Sequence, residues 1–347
     1  MINNFLNLSS EDRRDIILET STLKRVSPVI IEKDFWVCWT LNQIANMPKI
    51  RESITFKGGT SLSKVFNLIN RFSEDIDLAF QRSYLGFGGD KEPEKGTTKK
   101  QIEKRIEDLS EACKEEVRNR FMPALQEKFR EKLELPQDAY TWELKIDELD
   151  PQTILFFYPR TIDMDLDNYI QPVIKIEMGS RSDDWPVIDG LIISYIEESF
   201  KHLFTYTPIW IRTLSVERTF WEKATILHAE FHRPDGKMPA IRSSRHYYDL
   251  HQMHLNNVSS TALENIDLLD RVAKHKSIFF RSSWAKYEEA MIGTLRLVPK
   301  PQRIAELKHD YIKMQEMFFG DRPSFEDIMD SLSSLEQMIN QPLQITI

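Results

Sequence analysis

The chain has 347 residues, enough for one large domain or two joined domains, and its 41% apolar and 29% charged residues exclude an intrinsically disordered protein. Its formal net charge of −8 disfavours a general nucleic-acid-binding surface, because phosphate backbones would be repelled except at a local basic patch. Two cysteines lie far apart, Cys38 and Cys113, and predict neither a disulfide framework nor a zinc site.

The first residues contain no basic leader, and no apolar run in the sequence approaches the length of a membrane span. We therefore expect a soluble protein of the reducing cytoplasm, without membrane association.

Two helices are predicted at the start of the chain. Ser9 or Ser10 followed by acidic residues indicates a helix start, and the run from Ile30 to Ile44 carries apolar residues at helical spacing. This second helix contains no Gly or Pro and is predicted to be mostly buried.

A strand, a glycine turn, a helix and a second strand are predicted next. The short alternating strand 53–57 ends at Gly58 and Gly59, an apolar stripe marks a helix in SLSKVFNLI, and EDIDLAF alternates as a strand does. Because strand side chains alternate between faces, Asp75 and Asp77 project from the same face.

The remaining chain divides into an insertion, further strands and a helical end. Residues 100–133 predict a long amphipathic helix or a helix pair broken near Pro123, and strands recur between Thr141 and Met178. After Gly190 the pattern is predominantly helical. We predict an α+β protein with a first domain over 1–200 and a helical C-terminal domain over 201–347.

The acidic pair is a candidate metal site. Magnesium is usually held by one or two carboxylates together with the phosphates of a substrate, and paired metals promote phosphoryl-type displacement. Asp75 and Asp77 alone are weak evidence, since surface strands often carry such pairs, but the Gly-Gly turn upstream strengthens the interpretation.

The glycine turn is a candidate phosphate site. Gly58 and Gly59 let the backbone approach a ligand, and the helix that follows directs free amide groups toward that position. Hydroxyls and one cation offer further donors to the same phosphates: Thr60, Ser61 and Ser73, with Lys57, Lys64 or Arg71.

The segment FKGGTSLSKVFNLINRFSEDIDLAF resembles the first motif of the AbiEii/AbiGii toxin family, within the polymerase-beta-like nucleotidyltransferase superfamily. IEKDFWVCWTL upstream and IKIEM, LSVERTFWEKATIL and SRHYYDL downstream support the resemblance, which covers residues 31–250. It implies a minimal nucleotidyltransferase fold, in which a mixed sheet flanked by helices carries the site and a helical C-terminal domain closes over the nucleotide.

The resemblance also implies roles for single residues. Gly58, Gly59 and Thr60 would hold the nucleotide phosphates, and Asp75 and Asp77 would bind Mg²⁺. Many relatives carry serine after the two glycines, whereas this chain has Thr60 followed by Ser61, so either hydroxyl is a candidate phosphate contact.

Glu177 in VIKIEM is the candidate third carboxylate. It would complete the metal shell or deprotonate the attacking hydroxyl.

Lys223 lies at helical spacing among apolar residues, where a charge needs a partner. The family pattern suggests that Lys223 reaches the nucleotide phosphates and that Asp249 orients it. The alternative is a buried ion pair of Lys223 with Asp249 or Glu217 that has no catalytic duty.

The resemblance implies a toxin of a toxin–antitoxin or phage-defence (abortive infection) pair, with a neighbouring antitoxin as its partner. The reaction would transfer a nucleoside monophosphate from an NTP, with release of pyrophosphate, to the 3′ end of tRNA, as in relatives. The alternatives are transfer to a protein or small molecule, and a non-catalytic module that binds a nucleotide or partner.

Several other patterns favour structural interpretations. Asp163, Asp165 and Asp167 lack the glycine and glutamate of a calcium loop. The basic residues of 99–132 are interleaved with acids, as on a solvated helix face. The histidines of SRHYYDLHQMH lack glutamate or cysteine at ligand spacing and are predicted to be surface or lining residues: His246, His251 and His254.

Overall fold

The computed structural model describes residues 5–133, 141–163, 171–201, 208–238, 241–320 and 322–341. Contacts within the chain define two compact units, Met1–Asn67 with Phe72–Leu214, and Leu68–Arg71 with Ser215–Ile347. The first unit ends with the last strand of its sheet. The functional division between residues 200 and 201 stays a prediction.

The first unit is built on a seven-stranded mixed sheet with the order β3-β4-β5-β2-β1-β7-β6. Strand β1 runs antiparallel to β2 and parallel to β7, and β2 runs parallel to β5. The strands are β1 Ile54–Lys57, β2 Ile76–Phe80, β3 Glu143–Ile146, β4 Thr153–Phe157, β5 Val173–Gly179, β6 Val187–Ile192 and β7 Ile209–Leu214. This arrangement, with its flanking helices, confirms the predicted α+β fold class.

Helix α2 covers one face of this sheet with aromatic side chains. Trp36 and Trp39 place their ring centroids 5.9 Å and 6.1 Å from that of Phe156 on β4. The helices of the first unit are α1 Ser10–Lys24, α2 Pro28–Ala45, α3 Pro48–Arg51, α4 Gly58–Lys64, α5 Lys99–Glu116, α6 Met122–Lys132 and α7 Tyr195–Ser199.

Strand β2 separates an apolar face from an acidic one. Ile76, Leu78 and Phe80 are fully buried, whereas Asp77 between them is half-buried. Because successive strand residues point to opposite faces, Asp77 lies on the side of the sheet away from the apolar core.

Strands β6 and β7 differ from the expectation of a helical chain after Gly190. The two strands pair antiparallel with each other, and β7 joins the sheet through parallel pairing with β1. The apolar runs of both strands are short, and β1, the partner of β7, lies far away in the sequence, so local periodicity did not predict these two strands.

The predicted insertion is a nearly continuous helical segment. A π-helical turn over Val117–Phe121 joins α5 to α6, and the helix continues through Pro123 instead of breaking there. Pro123 has no N–H group to donate within the helix, and the π-helical turn ends just before it, where the hydrogen-bonding pattern changes.

The described part of the second unit is predominantly helical, with apolar residues such as Trp221 and Leu250 fully buried. Its helices are α8 Val216–His232, α9 Ser244–Leu255, α10 Val258–Glu264, α11 Asp267–Phe279, α12 Pro301–Lys313 and α13 Phe325–Asn340. In the described ranges, no helix combines the length and apolar character needed to cross a membrane.

Candidate active site

The glycine turn lies directly against one of the predicted catalytic carboxylates. The chain leaves β1 at Lys57, and Gly58 adopts a φ of +83°. A Cβ atom added at Gly58 would lie 2.0 Å from Oδ2 of Asp77. Position 58 therefore requires glycine for both its backbone conformation and its contact with the carboxylate.

Three predicted site residues form a row across adjacent strands. Lys57 on β1 lies opposite Asp77 on β2, and Asp77 lies beside Glu177 on β5 in the parallel register. Neighbouring strands are about 5 Å apart, so these side chains are immediate neighbours on one face of the sheet. The structure thus brings together a cation and two carboxylates that are separated in the sequence.

This arrangement changes the pKa of the Glu177 carboxyl group. Burial and the nearby charges of Asp77 and Asp75 together raise the pKa of its carboxyl to about 7, against the opposing effect of Lys57 and Lys175. The carboxylates therefore repel one another, and uptake of a proton or a cation relieves that repulsion.

The hydroxyls after the glycines hold the turn together. Thr60 donates to the backbone carbonyl of Asp75 and lies 3.1 Å from the hydroxyl of Ser73, while Ser61 donates to the carbonyl of Gly58 at 2.9 Å. Both Thr60 and Ser61 are fully buried. A hydroxyl carries one proton, so each of these protons is directed toward the protein in this structure.

The carboxylates beside the glycine turn are donors that a divalent cation can use. Within the described ranges, no three histidine, cysteine or acidic side chains converge in a complete metal centre. Asp77 and Glu177 are adjacent carboxylates with unfavourable mutual repulsion, and Asp75 lies close enough to add to it. That set fits a magnesium ion whose remaining ligands are substrate phosphates and water.

A second charged cluster lies within the second unit. The guanidinium of Arg71 makes two hydrogen bonds to Asp249, from Nε at 2.7 Å and from Nη2 at 2.8 Å. Lys223 Nζ lies 2.7 Å from Oδ2 of the same carboxylate. All three side chains are buried. The pairing of Lys223 with Asp249 that the sequence suggests is therefore present inside the protein, and Arg71 is a further partner of Asp249.

The cluster carries more positive than negative charge. Burial acts to raise the pKa of Asp249, but Arg71 and Lys223 hold it well below its usual range. Burial lowers the pKa of Lys223, and the neighbouring cations Arg71 and Arg245 lower it further against Asp249. An anion bound here would offset this excess of cations.

Two residues of this cluster had no role in the predicted site. Arg245 and His246 lie one turn before Asp249 on α9. Burial lowers the pKa of His246, and the positive charges of Lys223 and Arg245 lower it further. Nδ1 of His246 is buried without a hydrogen-bond partner among the described residues. Arg245 and His246 precede Asp249 by four and three residues, and this spacing in the sequence indicates that they share its face of the helix.

The predicted site residues fall into two sets. The glycine turn, the acids and Glu177 belong to the first unit, whereas Arg71, Lys223 and Asp249 belong to the second. Of the other patterns, Asp165 and Asp167 lie outside the described residues.

The profile of one protein family, described as the nucleotidyl transferase AbiEii toxin of a type IV toxin–antitoxin system, matches residues 40–331. The chain belongs to this AbiEii family. Membership makes the protein a nucleotidyltransferase and implies an NTP substrate and an antitoxin partner. The match covers the glycine turn, the acids, Lys223 and Asp249, and it confirms the resemblance found in the sequence.

The fold of this AbiEii chain is similar to that of a solved nucleotidyltransferase toxin at low sequence identity. MenT4, a nucleotidyltransferase toxin from Mycobacterium tuberculosis H37Rv, is 13% identical with a TM-score of 0.50 over 95% of this chain and 90% of its own. JHP933 from Helicobacter pylori is 15% identical with a TM-score of 0.42 over 91% and 93% of the two chains. No curated protein matches the sequence.

Proposed function

We propose that this protein transfers a nucleoside monophosphate from an NTP to the 3′ end of tRNA in a metal-dependent reaction, as the toxin of a phage-defence pair. The observation that carries the chemistry is the row of Asp77 and Glu177 beside the Gly58 turn. A site with adjacent carboxylates next to a half-buried glycine turn suits a magnesium-bound triphosphate.

In this proposal Asp75, Asp77 and Glu177 would hold Mg²⁺ together with the phosphates of the NTP. The ion would neutralise the charge that develops on the reacting phosphate and the leaving pyrophosphate. The raised pKa of Glu177, about 7, and its position beside Asp77 support its place in this set.

Each unit offers groups that suit a phosphate. Gly58 and Gly59 present backbone to the phosphates, with Lys57 as the neighbouring cation, while Thr60 and Ser61 keep the turn in shape through their hydrogen bonds. Arg71 and Lys223 offer cations in excess of the charge of Asp249, which supports a phosphate-binding role for that cluster as well.

The reaction joins the acceptor to the α-phosphate. The oxygen of the acceptor hydroxyl forms a bond to the α-phosphorus, the bond from that phosphorus to the bridging oxygen breaks, and pyrophosphate leaves. The hydroxyl proton passes to the carboxylate of Glu177, whose pKa of about 7 suits a base that works near neutral pH.

Incubation of the purified protein with each labelled NTP, Mg²⁺ and total tRNA tests the proposal. The variants Asp75→Ala and Asp77→Ala remove the acids, and Asp189→Ala on β6 removes an exposed carboxylate of the same sheet as a matched control. We expect label on tRNA with the parent protein and with Asp189→Ala, but with neither of the other variants.

Other outcomes would change the proposal in defined ways. Label on protein or on small molecules in a lysate, with tRNA unlabelled, would replace the acceptor. The absence of any metal-dependent transfer would overturn the reaction and favour a module that binds a nucleotide or partner.

A further inference from the structure

Three consecutive charged residues on α2 are buried in the first unit. Glu32, Lys33 and Asp34 are 2%, 1% and 1% exposed. Consecutive helix residues point about 100° apart, so these side chains reach three different segments. Buried charges need partners, and the partners identify what each residue holds in place.

Asp34 anchors the helix that begins with the glycine turn. It forms an ion pair with Lys64, the last residue of α4, and both side chains are buried. The ammonium of Lys64 lies 3.4 Å from the ring centroid of Tyr195, whose backbone N–H donates to Asp34 at 2.7 Å. The far end of α4, whose first residues are Gly58 and Gly59, is therefore fixed to α2.

Lys33 anchors the segments that lead into both acidic strands. Its ammonium lies 2.6 Å from the carboxylate of Glu74 and donates to the backbone carbonyl of Gln171 at 2.7 Å. Glu74 directly precedes Asp75 at the entrance to β2, and Gln171 precedes β5, which carries Glu177. One ammonium thus bridges the starts of the two parallel strands that bring Asp77 and Glu177 together.

Glu32 holds a different segment. Its carboxylate accepts hydrogen bonds from the backbone N–H groups of Thr161 and Ile162. It contacts neither α4 nor β2 through these bonds, so the link to the site belongs to Lys33 and Asp34.

We propose that Lys33 and Asp34 are positioning residues for nucleotidyl transfer: Lys33 sets the placement of Asp77 relative to Glu177, and Asp34 sets the glycine turn beside them. The inference rests on the proposed function of this site. Buried ion pairs contribute little net stability compared with apolar pairs of similar size, but they fix direction and register. Misplacement of reacting groups by about 1 Å costs on the order of 100-fold in rate.

Paired substitutions test this role without leaving an unpartnered buried charge. The double variants are K33M/E74Q and D34N/K64M, which remove each ion pair with little change in volume. The matched control is R82M/E94Q, which removes a half-buried ion pair just beyond the other end of β2. Each protein is measured for cooperative unfolding, for kcat and for the KM of the NTP.

We expect a split between the two kinetic constants. K33M/E74Q should lower kcat roughly 10- to 100-fold with little change in KM, because it shifts the acids. D34N/K64M should raise the KM of the NTP about tenfold, because it shifts the glycine turn. The control should keep both constants within about twofold of the parent. A lower kcat in one double variant and a higher KM in the other differ from a general loss of folded protein, which would lower the apparent kcat in both.

Retention of both kinetic constants in K33M/E74Q and D34N/K64M would overturn the proposal, as would an equal loss of activity in the control. If K33M/E74Q does not fold, Lys33→Arg keeps the charge and alters the geometry, and an unchanged kcat in that variant would also overturn it.

A measurement independent of activity separates this inference from the proposed function. If the parent transfers no nucleotide, the proposed function has failed, and the backbone amide signals of Asp77 and Glu177 are followed by NMR in the folded variants. Positioning by Lys33 requires that both signals move in K33M/E74Q and keep their positions in R82M/E94Q, because Lys33 bridges the segments that lead into β2 and β5. Unmoved signals in K33M/E74Q would show that Lys33 does not set the placement of the two strands.

Discussion

Gly58 brings the main chain into contact with the carboxylate of Asp77. A Cβ atom there would meet Oδ2 of Asp77 at 2.0 Å, and the φ of +83° is itself unfavourable for any other residue. The carboxylate and the turn therefore fix each other. A substitution at position 58 must displace Asp77, distort the backbone or do both.

Gly58→Ala should abolish transfer and destabilise the protein by about 2–4 kcal/mol, because it adds a steric clash to backbone strain. Gly86 provides the matched control, since its φ is +85° and a Cβ atom there would meet nothing within 4 Å. Gly86→Ala should cost about 1 kcal/mol from strain alone and leave transfer intact. Urea unfolding and a transfer assay measure both variants, and equal losses of stability would disprove the contact with Asp77.

Glu177 makes stability depend on pH. Its folded pKa of about 7 lies above the ordinary value of 4.5, so the folded protein binds this proton more tightly than the unfolded chain. Stability from this group is therefore present below pH 4.5 and is lost as the pH rises through about 7. The penalty at higher pH is the cost of burying the charge of Glu177 and of holding it beside Asp77 and Asp75.

Glu177→Gln should remove this penalty. We expect the variant to match the parent near pH 4.5 and to exceed its free energy of unfolding by about 1–3 kcal/mol at pH 8, measured in urea without divalent ions. Glu143→Gln, an exposed residue of β3, serves as the control and should follow the parent at both pH values. A parallel pH dependence in the parent and Glu177→Gln would contradict the burial of charge at Glu177.

At the scale of elements, local patterns predicted the centre of the first unit. Glycine punctuation after a short strand and the alternation in EDIDLAF identified β1, the turn and β2, because each feature depends on neighbouring residues. The pairing of β1 with β7 joins Phe56 to Thr213. No local pattern specifies that pairing, so β6 and β7 were missed.

The cluster around Asp249 also depends on a contact between distant parts of the sequence that local patterns do not specify. Helical spacing indicated that Lys223 needs an anion, and Asp249 is that anion. Arg71 was predicted as a phosphate contact, and its two hydrogen bonds to Asp249 span 178 positions of sequence. The sequence therefore predicted the pairing of Lys223 with Asp249 but not that Arg71 shares the same carboxylate.

Asp249→Asn should strongly destabilise the protein. It leaves Arg71 and Lys223 buried beside each other without their anion, which costs about 3–5 kcal/mol. Because the folded pKa of Asp249 lies below its usual 3.8, the contribution is present above that pH and is lost as the pH falls.

Asp184→Asn breaks a partly exposed ion pair with Arg212 and should cost about 1 kcal/mol or less. The two variants are compared by urea unfolding at pH 7. A similar small effect in both would show that the cluster is not held by Asp249.

At the scale of the whole molecule, the net charge of −8 works against the substrates proposed for it. An NTP and a tRNA are both polyanions, so their binding needs local cations strong enough to overcome a repulsive average field. The excess of cations around Asp249 provides one such region, and a metal ion held by the acids would provide another. Nucleotide binding should therefore depend on both the metal and Lys223.

Thermal unfolding with ligand tests that dependence. A ligand that binds only the folded protein stabilises it by about 2.7 kcal/mol at 100 times its Kd. The preferred NTP with Mg²⁺ should raise the Tm of the parent, and chelation of the metal should remove most of that rise. Lys223→Met should reduce the shift, whereas Lys308→Met, which changes an exposed lysine of the same unit, should keep it. A shift that is insensitive to both the chelator and Lys223→Met would mean that the nucleotide binds elsewhere.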